Sequence, residues 1–264
     1  MCLILFAIQP NQRYRFVFAA NRDESHQRPT QSLGFWSENS DILAGRDLSQ
    51  GGTWMGLTRS GRFAGVTNFR RGQAQSGIVS RGALTANFLK QQTTPVDYID
   101  DLVKHSEDFA GFNLLIGDHH GLYYYSNAVD GQTSAFGQAL APGLYGLSNG
   151  ELNADWPKIH KGRQGLKGLL TKQQNHNSQA FQQRLFDLLA DQQQAPIEVL
   201  PHTGISVERE QTLSPLFIKG DTYGTRASTV LLIQEDGFIS MVERSFNAAG
   251  VMIDSKAYEF YLDS

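Results

Sequence analysis

Residues 2–24 read Cys2-Leu3-Ile4-Leu5-Phe6-Ala7-Ile8-Gln9-Pro10-Asn11-Gln12-Arg13-Tyr14-Arg15-Phe16-Val17-Phe18-Ala19-Ala20-Asn21-Arg22-Asp23-Glu24. Two apolar runs, Leu3 to Ile8 and Tyr14 to Ala20, flank a polar turn holding Pro10 and Asn11, which is the pattern of a β-hairpin. Antiparallel pairing then sets the charged tetrad Asn21-Arg22-Asp23-Glu24 across from the head of the first strand, beside Cys2. The first run is far shorter than the ~20 apolar residues of a membrane-spanning helix. It also lacks the basic lead and small-residue cleavage site of a signal peptide, so it is expected to be a mature strand.

Working outward, a polar loop is expected over residues 21–40. Gly51-Gly52-Thr53 leads into a second hairpin, Trp54 to Thr58 and Phe63 to Thr67. A helix follows Ser80 through Leu84, Phe88 and Leu89. Thr94-Pro95 reads as an N-cap with proline at the first helical position, ahead of Val96 to Val103. Phe112 to Gly117 and Leu122 to Tyr125 form another hairpin, and Gly143 to Leu147 a short strand. Asp155 is expected to cap a helix containing Pro157, and Ser178 to Leu189 places Phe181, Leu185 and Leu188 on one face. Gln192 to Gln194 reads as a linker, and strands return at Ser228 to Ile233, Phe238 to Val242 and Tyr258 to Leu262. Strand pairs, helix pairs and strand pairs again predict an α+β fold of antiparallel sheets with helices outside, a four-layer αββα sandwich, in one domain over residues 1–264.

The composition is that of a globular chain, with 264 residues, 40% hydrophobic and 19% charged. A net charge of −3 and no long Lys/Arg run give no field for phosphates, so no nucleic-acid partner is expected. A single cysteine excludes an intramolecular disulfide and fits a reducing compartment, with the cytoplasm as the expected location.

Cys2 carries the most direct chemistry. Once Met1 is removed, its thiol and its α-amine belong to one residue. An α-amine of pKa about 7.7–8.0 can accept the proton of a thiol near 8.5 without a histidine. The competing assignment is a small buried hydrophobe at a strand start. Asp23 beside the α-ammonium and Arg22 beside the thiolate would each have an electrostatic task.

The tetrad Asn21-Arg22-Asp23-Glu24 after Met1-Cys2 stands with Gly51-Gly52-Thr53-Trp54, Gly65-Val66-Thr67-Asn68-Phe69-Arg70, Leu147-Ser148-Asn149-Gly150 and Tyr223-Gly224-Thr225-Arg226-Ala227-Ser228-Thr229. Together they resemble the NRDE family, also called the transport and Golgi organisation family, over nearly the whole chain. That family is in turn similar to cysteine amidohydrolases of the N-terminal-nucleophile (Ntn) hydrolase type, which implies an Ntn-hydrolase-like fold here. Carried over residue by residue, the resemblance implies a catalytic set of Cys2, Asp23, Asn68, Asn149 and Arg226, with the two asparagines as oxyanion donors. Asn21, Arg22, Glu24, Trp54, Phe69 and Arg70 are expected to contact ligand. The acylases carry an arginine three positions before the aspartate, where this chain has Ala20. Its own Arg22 immediately precedes Asp23, and alternation along a strand is expected to turn it away from Cys2.

Gly146-Leu147-Ser148-Asn149-Gly150 formally matches a serine-hydrolase nucleophile elbow, but antiparallel surroundings disagree with that assignment. His119-His120 sits in a hairpin turn without zinc-site spacing, and no metal is expected. No phosphate-binding glycine motif is present.

Two functional readings follow. The resemblance implies intracellular haem trafficking or haem binding, or related lipid or acyl-CoA handling, with haem as a ligand, haem-donating or haem-accepting proteins as partners, and no required cofactor. The residues themselves fit a cysteine amidohydrolase cleaving an acyl amide or thioester.

Overall fold

The opening hairpin closes because Asn11 turns its side chain back on the loop. Its Oδ1 accepts the backbone N–H groups of Arg13 and Tyr14 at 3.0 and 3.1 Å. The computed structural model of the chain describes residues 2–72, 77–129, 137–172 and 177–263. Strand β1 (Cys2–Ile8) pairs antiparallel with β2 (Tyr14–Ser25), with Cys2 opposite Arg22, Ile4 opposite Ala20 and Phe6 opposite Phe18.

The fold is α+β, with two antiparallel sheets flanked by helices and divided between two compact units. The first unit comprises Met1–Gln27, Arg71–Gln73 and Pro142–Phe260. Its six-stranded sheet runs in the order β10 (Gly143–Leu147), β1, β2, β11 (Tyr223–Gln234), β12 (Phe238–Phe246) and β13 (Met252–Tyr261). One face presents Leu3, Leu5, Val17, Ala19, Val230 and Leu232. These pack against Ile159 and Leu166 of α3 (Pro157–Thr171) and Phe181, Leu185 and Leu189 of α4 (Ser178–Leu189). Strands buried on both faces read as near-continuous apolar runs, which is why β1 shows no polar alternation.

The second unit comprises Arg28–Arg70, Ala74–Ala141 and Tyr261–Ser264. Its sheet follows sequence order: β3 (Thr30–Trp36), β4 (Asn39–Asp47), β5 (Met55–Thr58), β6 (Phe63–Asn68), β7 (Phe112–Asp118), β8 (Gly121–Ser126) and β9 (Gln138–Ala139). Leu84, Phe88 and Leu89 of α1 (Gly82–Lys90), with Ile99 and Leu102 of α2 (Pro95–Val103), pack against Ile42, Ala64, Val66, Leu114 and Ile116. Thr94 caps α2 as expected, accepting the Asp97 N–H at 3.1 Å with Pro95 in the first turn.

Gly52 explains part of the Gly51-Gly52-Thr53 motif. A Cβ there would stand 2.5 Å from the Gly82 backbone, closer than any side chain is tolerated. Gly52→Ala is expected to lower the unfolding free energy by about 1–3 kcal/mol through overpacking. Denaturant melts check this, and an unchanged midpoint would contradict the close approach.

The structure departs from expectation where strands are polar. The loop expected over residues 21–40 instead continues β2 to Ser25 and forms β3 and the start of β4. Strand β11 begins at Tyr223, ahead of Ser228, and β13 at Met252, ahead of Tyr258. Helix α5 (Val207–Thr212), capped by Ser206, was not anticipated. Asp155 does not cap α3: Trp156 takes that position without a side-chain bond, and Pro157 opens the helix. Polar strand residues carry no period-two apolar signal, so only their partners in the folded sheet declare them. No described helix is long and apolar enough to cross a membrane.

Candidate functional site

Cys2 heads β1 and is 8% exposed. Its sulfur accepts the backbone N–H of Asp23. On the other side of β1, the chain leaving β10 runs through Ser148 and Asn149, both fully buried. The Ser148 hydroxyl donates to the Cys2 carbonyl at 2.8 Å, and the same Oγ lies 3.3 Å from Asn149 Oδ1. Cys2 is therefore held by polar groups on both sides of β1, the Asp23 N–H at its sulfur and the Ser148 hydroxyl at its carbonyl.

Asp23 is 1% exposed. Its Oδ1 accepts the Thr225 hydroxyl at 2.7 Å, while Thr225 Oγ1 itself accepts the Ile218 N–H at 2.9 Å. The Tyr223 hydroxyl donates to the Asp23 carbonyl oxygen at 2.9 Å. Burial pushes the Asp23 carboxyl above its ordinary pKa, while the positive field of Lys158, in the first turn of α3, pulls it down. Lys158 is 3% exposed, so the positive charge that opposes the upward shift at Asp23 is itself buried.

The register corrects the expectation for Arg22. Residues directly opposite in an antiparallel pair share a face of the sheet, so Cys2 opposite Arg22 places that guanidinium on the same side as the sulfur. Asp23, like Asn21, belongs to the helix-covered side. Cross-strand pairing decides this, and counting along one strand does not reveal it. Glu24 approaches Arg22 at 4.0 Å. Arg226 occupies the bulge between Thr225 and Ala227 and donates to the Ser25 carbonyl at 3.1 Å. Burial, then the neighbouring Arg22, lowers the pKa of Arg226, and Glu24 opposes the shift. The register and these electrostatic contacts gather Cys2, Arg22, Asp23, Glu24 and Arg226 around the end of β2, with Asn149 alongside.

Burial pushes the Cys2 thiol above its ordinary pKa, and the Asp23 carboxylate adds to the rise; Arg22 and the Asp23 N–H act in the opposite direction. The resting sulfur at neutral pH is a thiol. Its alkylation by iodoacetamide is expected to climb about tenfold per pH unit between pH 7 and 9 with no plateau, because only the thiolate reacts. Asp23→Asn removes a charge that opposes ionisation and raises the rate at a given pH, whereas Arg22→Gln lowers it. Stopped-flow or mass-spectrometric rates test this, and a plateau below pH 8 would contradict it. Burial also pushes the Tyr223 phenol upward, with Asp23, Cys2 and Glu24 contributing in that order, so it stays a donor across this range.

Asn21 sits differently from the expected ligand-contacting group. Its amide donates to the Leu189 and Leu216 carbonyls at 2.9 and 2.8 Å, and its Oδ1 accepts the Ser228 hydroxyl at 2.6 Å. Trp54, Asn68, Phe69 and Arg70 belong to the second unit. Asn68 ends β6 opposite Phe112, and the Trp54 carbonyl accepts the Val66 N–H at 2.8 Å. The Phe69 N–H donates to the Gly111 carbonyl at 2.8 Å, and the Arg70 side chain is half-buried.

Sequence reasoning did not single out Tyr223, Thr225 or Lys158, and it raised Ser148 only as the serine of a nucleophile elbow. Tyr223 and Thr225 lie inside a quoted motif, so their neighbours carried a signal. Lys158 carried none. Ser148 follows an antiparallel strand and its hydroxyl is committed to Cys2, unlike a nucleophile elbow. His119 and His120 occupy the exposed β7–β8 turn. Among the described residues no group of three His, Cys, Asp or Glu is placed to hold a metal ion.

Comparison with solved structures finds similarity to the Caenorhabditis elegans N-acylethanolamine-hydrolyzing acid amidase ortholog, with a TM-score of 0.42, 11% identity, and 88% of this chain and 92% of that chain covered. A mutant conjugated bile acid hydrolase from Clostridium perfringens is similar at a TM-score of 0.41 and 12% identity, covering 98% of this chain and 97% of that one. Among curated proteins, the Transport and Golgi organization protein 2 homolog of Homo sapiens is 30% identical over 284 aligned positions, spanning 100% of both chains. The Bos taurus homolog is 29% identical over the same span, and the Drosophila melanogaster protein 21% identical over 93% of this chain and 92% of its own. The model of the family "Transport and Golgi organisation 2" matches residues 1–248, which include every residue of the Cys2 cluster, and the chain belongs to that family.

Proposed function

We propose that the chain is a cysteine amidohydrolase that acts on an acyl amide or thioester after Met1 is removed. The observation that carries this reading is the pairing of the lone thiol with Arg22 on its own face of the sheet and with buried Asp23 at its backbone. Removal of Met1 frees the Cys2 α-amine at the strand end where Asp23 lies. The amine accepts the thiol proton as Sγ attacks the substrate carbonyl carbon. A carboxylate close to the resulting α-ammonium stabilises it, which is the task the Asp23 position suits. The carbonyl oxygen gains negative charge, which Arg22 or the Asn149 amide can meet. Collapse breaks the carbonyl C–N or C–S bond, the leaving group takes the proton back, and an acyl-thioester remains on Cys2. Water then attacks that thioester, releases the carboxylic acid and restores the thiol.

The test uses two preparations, one retaining Met1 and one beginning at Cys2, each exposed to a panel of acyl amides and acyl thioesters and read by intact mass. An acyl adduct on Cys2 is expected only in the second. Absence of adduct and of turnover in both would overturn the reading. Haem handling remains the reading implied by the family resemblance. Saturable haem binding lost in Cys2→Ala, together with no acyl adduct, would put it in place of acyl chemistry.

A further inference from the structure

The last strand of the six-stranded sheet forms its outer edge. Asn247 shapes the hairpin that leads into it. Its N–H donates to the Val251 carbonyl at 3.0 Å, its carbonyl accepts the Gly250 N–H at 2.9 Å, and Gly250 takes the left-handed turn at φ 73°. Beyond the turn β13 runs alongside β12, and among the described residues no strand of the sheet follows it. Both faces of β13 are exposed, Met252 and Lys256 on one and Ile253, Ser255, Ala257 and Glu259 on the other. Met252 and Ile253 are 52% and 65% exposed. The open N–H and C=O groups of a long edge strand template pairing with another chain, and sheets blunt such edges with proline, bulges or unmatched charge, lysine above all. Residues 252–260 hold no proline, and their one lysine, Lys256, has Asp254 beside it at 3.6 Å. An exposed ion pair of this kind contributes little within one chain. Its spacing along the strand matters when two chains meet.

Two copies joined edge to edge about a twofold axis perpendicular to the sheet pair antiparallel. Opposed residues then share a face, so the axis passes through a residue paired with itself. Centred on Asp254, the pairing sets that carboxylate against its own copy, and centred on Lys256 it does the same to the ammonium. Centred on Ser255, it sets Asp254 of each copy against Lys256 of the other, Met252 against Tyr258 and Ile253 against Ala257. Centres nearer the end of the strand bring no opposite charges together, and one at Glu259 opposes that carboxylate to itself. We propose that β13 is the joint of a symmetric dimer of this chain, in the register centred on Ser255. A second copy is the occupant of this edge because the strand is charge-complementary to its own reversal in that one register. Asp254 and Lys256 of the two copies form an alternating cluster on one face, and the exposed Met252 and Ile253 side chains gain apolar neighbours across the joint. A twofold joint consumes the same edge of both copies, so it closes at the dimer and does not extend into a fibre.

The experiment measures the mass of the full chain by sedimentation equilibrium over a concentration series. A dimer whose share rises with concentration is expected, and monomer throughout, up to about 1 mM chain, overturns the interface. Lys256→Asp and Asp254→Lys each set like charges across the joint and are expected to weaken the dimer about tenfold or more. Mixed in equal amounts, these two variants are complementary again, and a heterodimer of about wild-type affinity is expected. The double variant Asp254→Lys, Lys256→Asp exchanges the charges within one chain and is expected to dimerise as the wild type does, which separates loss of charge match from damage to the strand. A dimer that neither single variant weakens belongs to another surface and overturns the assignment to β13. Single variants that weaken the dimer without recovery in either the mixture or the double variant overturn the register.

Discussion

In a chain that begins at Cys2, Cys2→Ala is expected to abolish the acyl adduct outright, and Asp23→Asn to slow its formation by about a hundredfold or more. The first effect is total because the sulfur is the atom acylated, and this is the chain's only cysteine. The second follows from the place of Asp23 beside the proton-accepting amine. A fixed group that stabilises charge developing in the reaction contributes ~10²–10³ in rate. The same substitution has the opposite sign on alkylation of the resting thiol, because it removes a negative charge that opposes ionisation. Acylation slowed while alkylation quickens would separate an electrostatic role for Asp23 from general damage to the fold. Both rates falling together in Asp23→Asn, with the protein melting earlier, would sink the assignment. Thr225→Val, which takes away the hydroxyl donated to Asp23 at 2.7 Å, should reproduce a weaker version of the same split.

Asn21→Leu is expected to be the most destabilising single change in the neighbourhood, costing about 3–6 kcal/mol. The side chain is fully buried and joins three separated segments. Its amide meets the Leu189 carbonyl at the last turn of α4, where helical carbonyls lack intrahelical partners, and the Leu216 carbonyl beyond α5. Its oxygen takes the Ser228 hydroxyl on β11. Leucine leaves two carbonyls and a hydroxyl buried without these bonds. The double variant Asn21→Leu, Ser228→Ala removes one of the stranded groups and should recover part of the loss, as a double-mutant cycle by urea melts would show. A cost below about 1 kcal/mol would mean that water or relaxation replaces these bonds. The tetrad thus divides its labour: Asn21 ties strand to helix, Arg22 shares the sulfur's face of the sheet, and Asp23 donates its N–H to the sulfur.

Parts of this site were legible from residue order alone. A hairpin with Cys2 at one end and Asn21 to Glu24 at the other has nearly one way to pair, so their proximity followed from local pattern. Asn149 and Arg226 came from motif resemblance, and the structure brings them to the same end of the sheet, one after β10 and the other in a bulge of β11. The polar continuation of β2 into Ser25 was not legible. Its charged residues mimic a solvated turn until their partners, Thr225, Tyr223 and the Asp23 N–H to sulfur contact, are assembled. Lys158 was invisible for a related reason: a lysine early in a helix is ordinarily solvated, and only the sheet beneath α3 makes it a buried counter-charge.

Residue order by itself determined the first hairpin, the α+β class, the single thiol at a strand head and the membership of the family, because these depend on local periodicity and on motifs contiguous in the chain. Tertiary structure alone decided which face each member of the tetrad takes, that Asn21 is a structural tie, and that Lys158 is buried. Those outcomes depend on cross-strand register and on desolvation. The faces are set by pairing between β1 and β2 and the Asn21 ties by residues more than a hundred positions away, and neither leaves a periodic trace in any one strand.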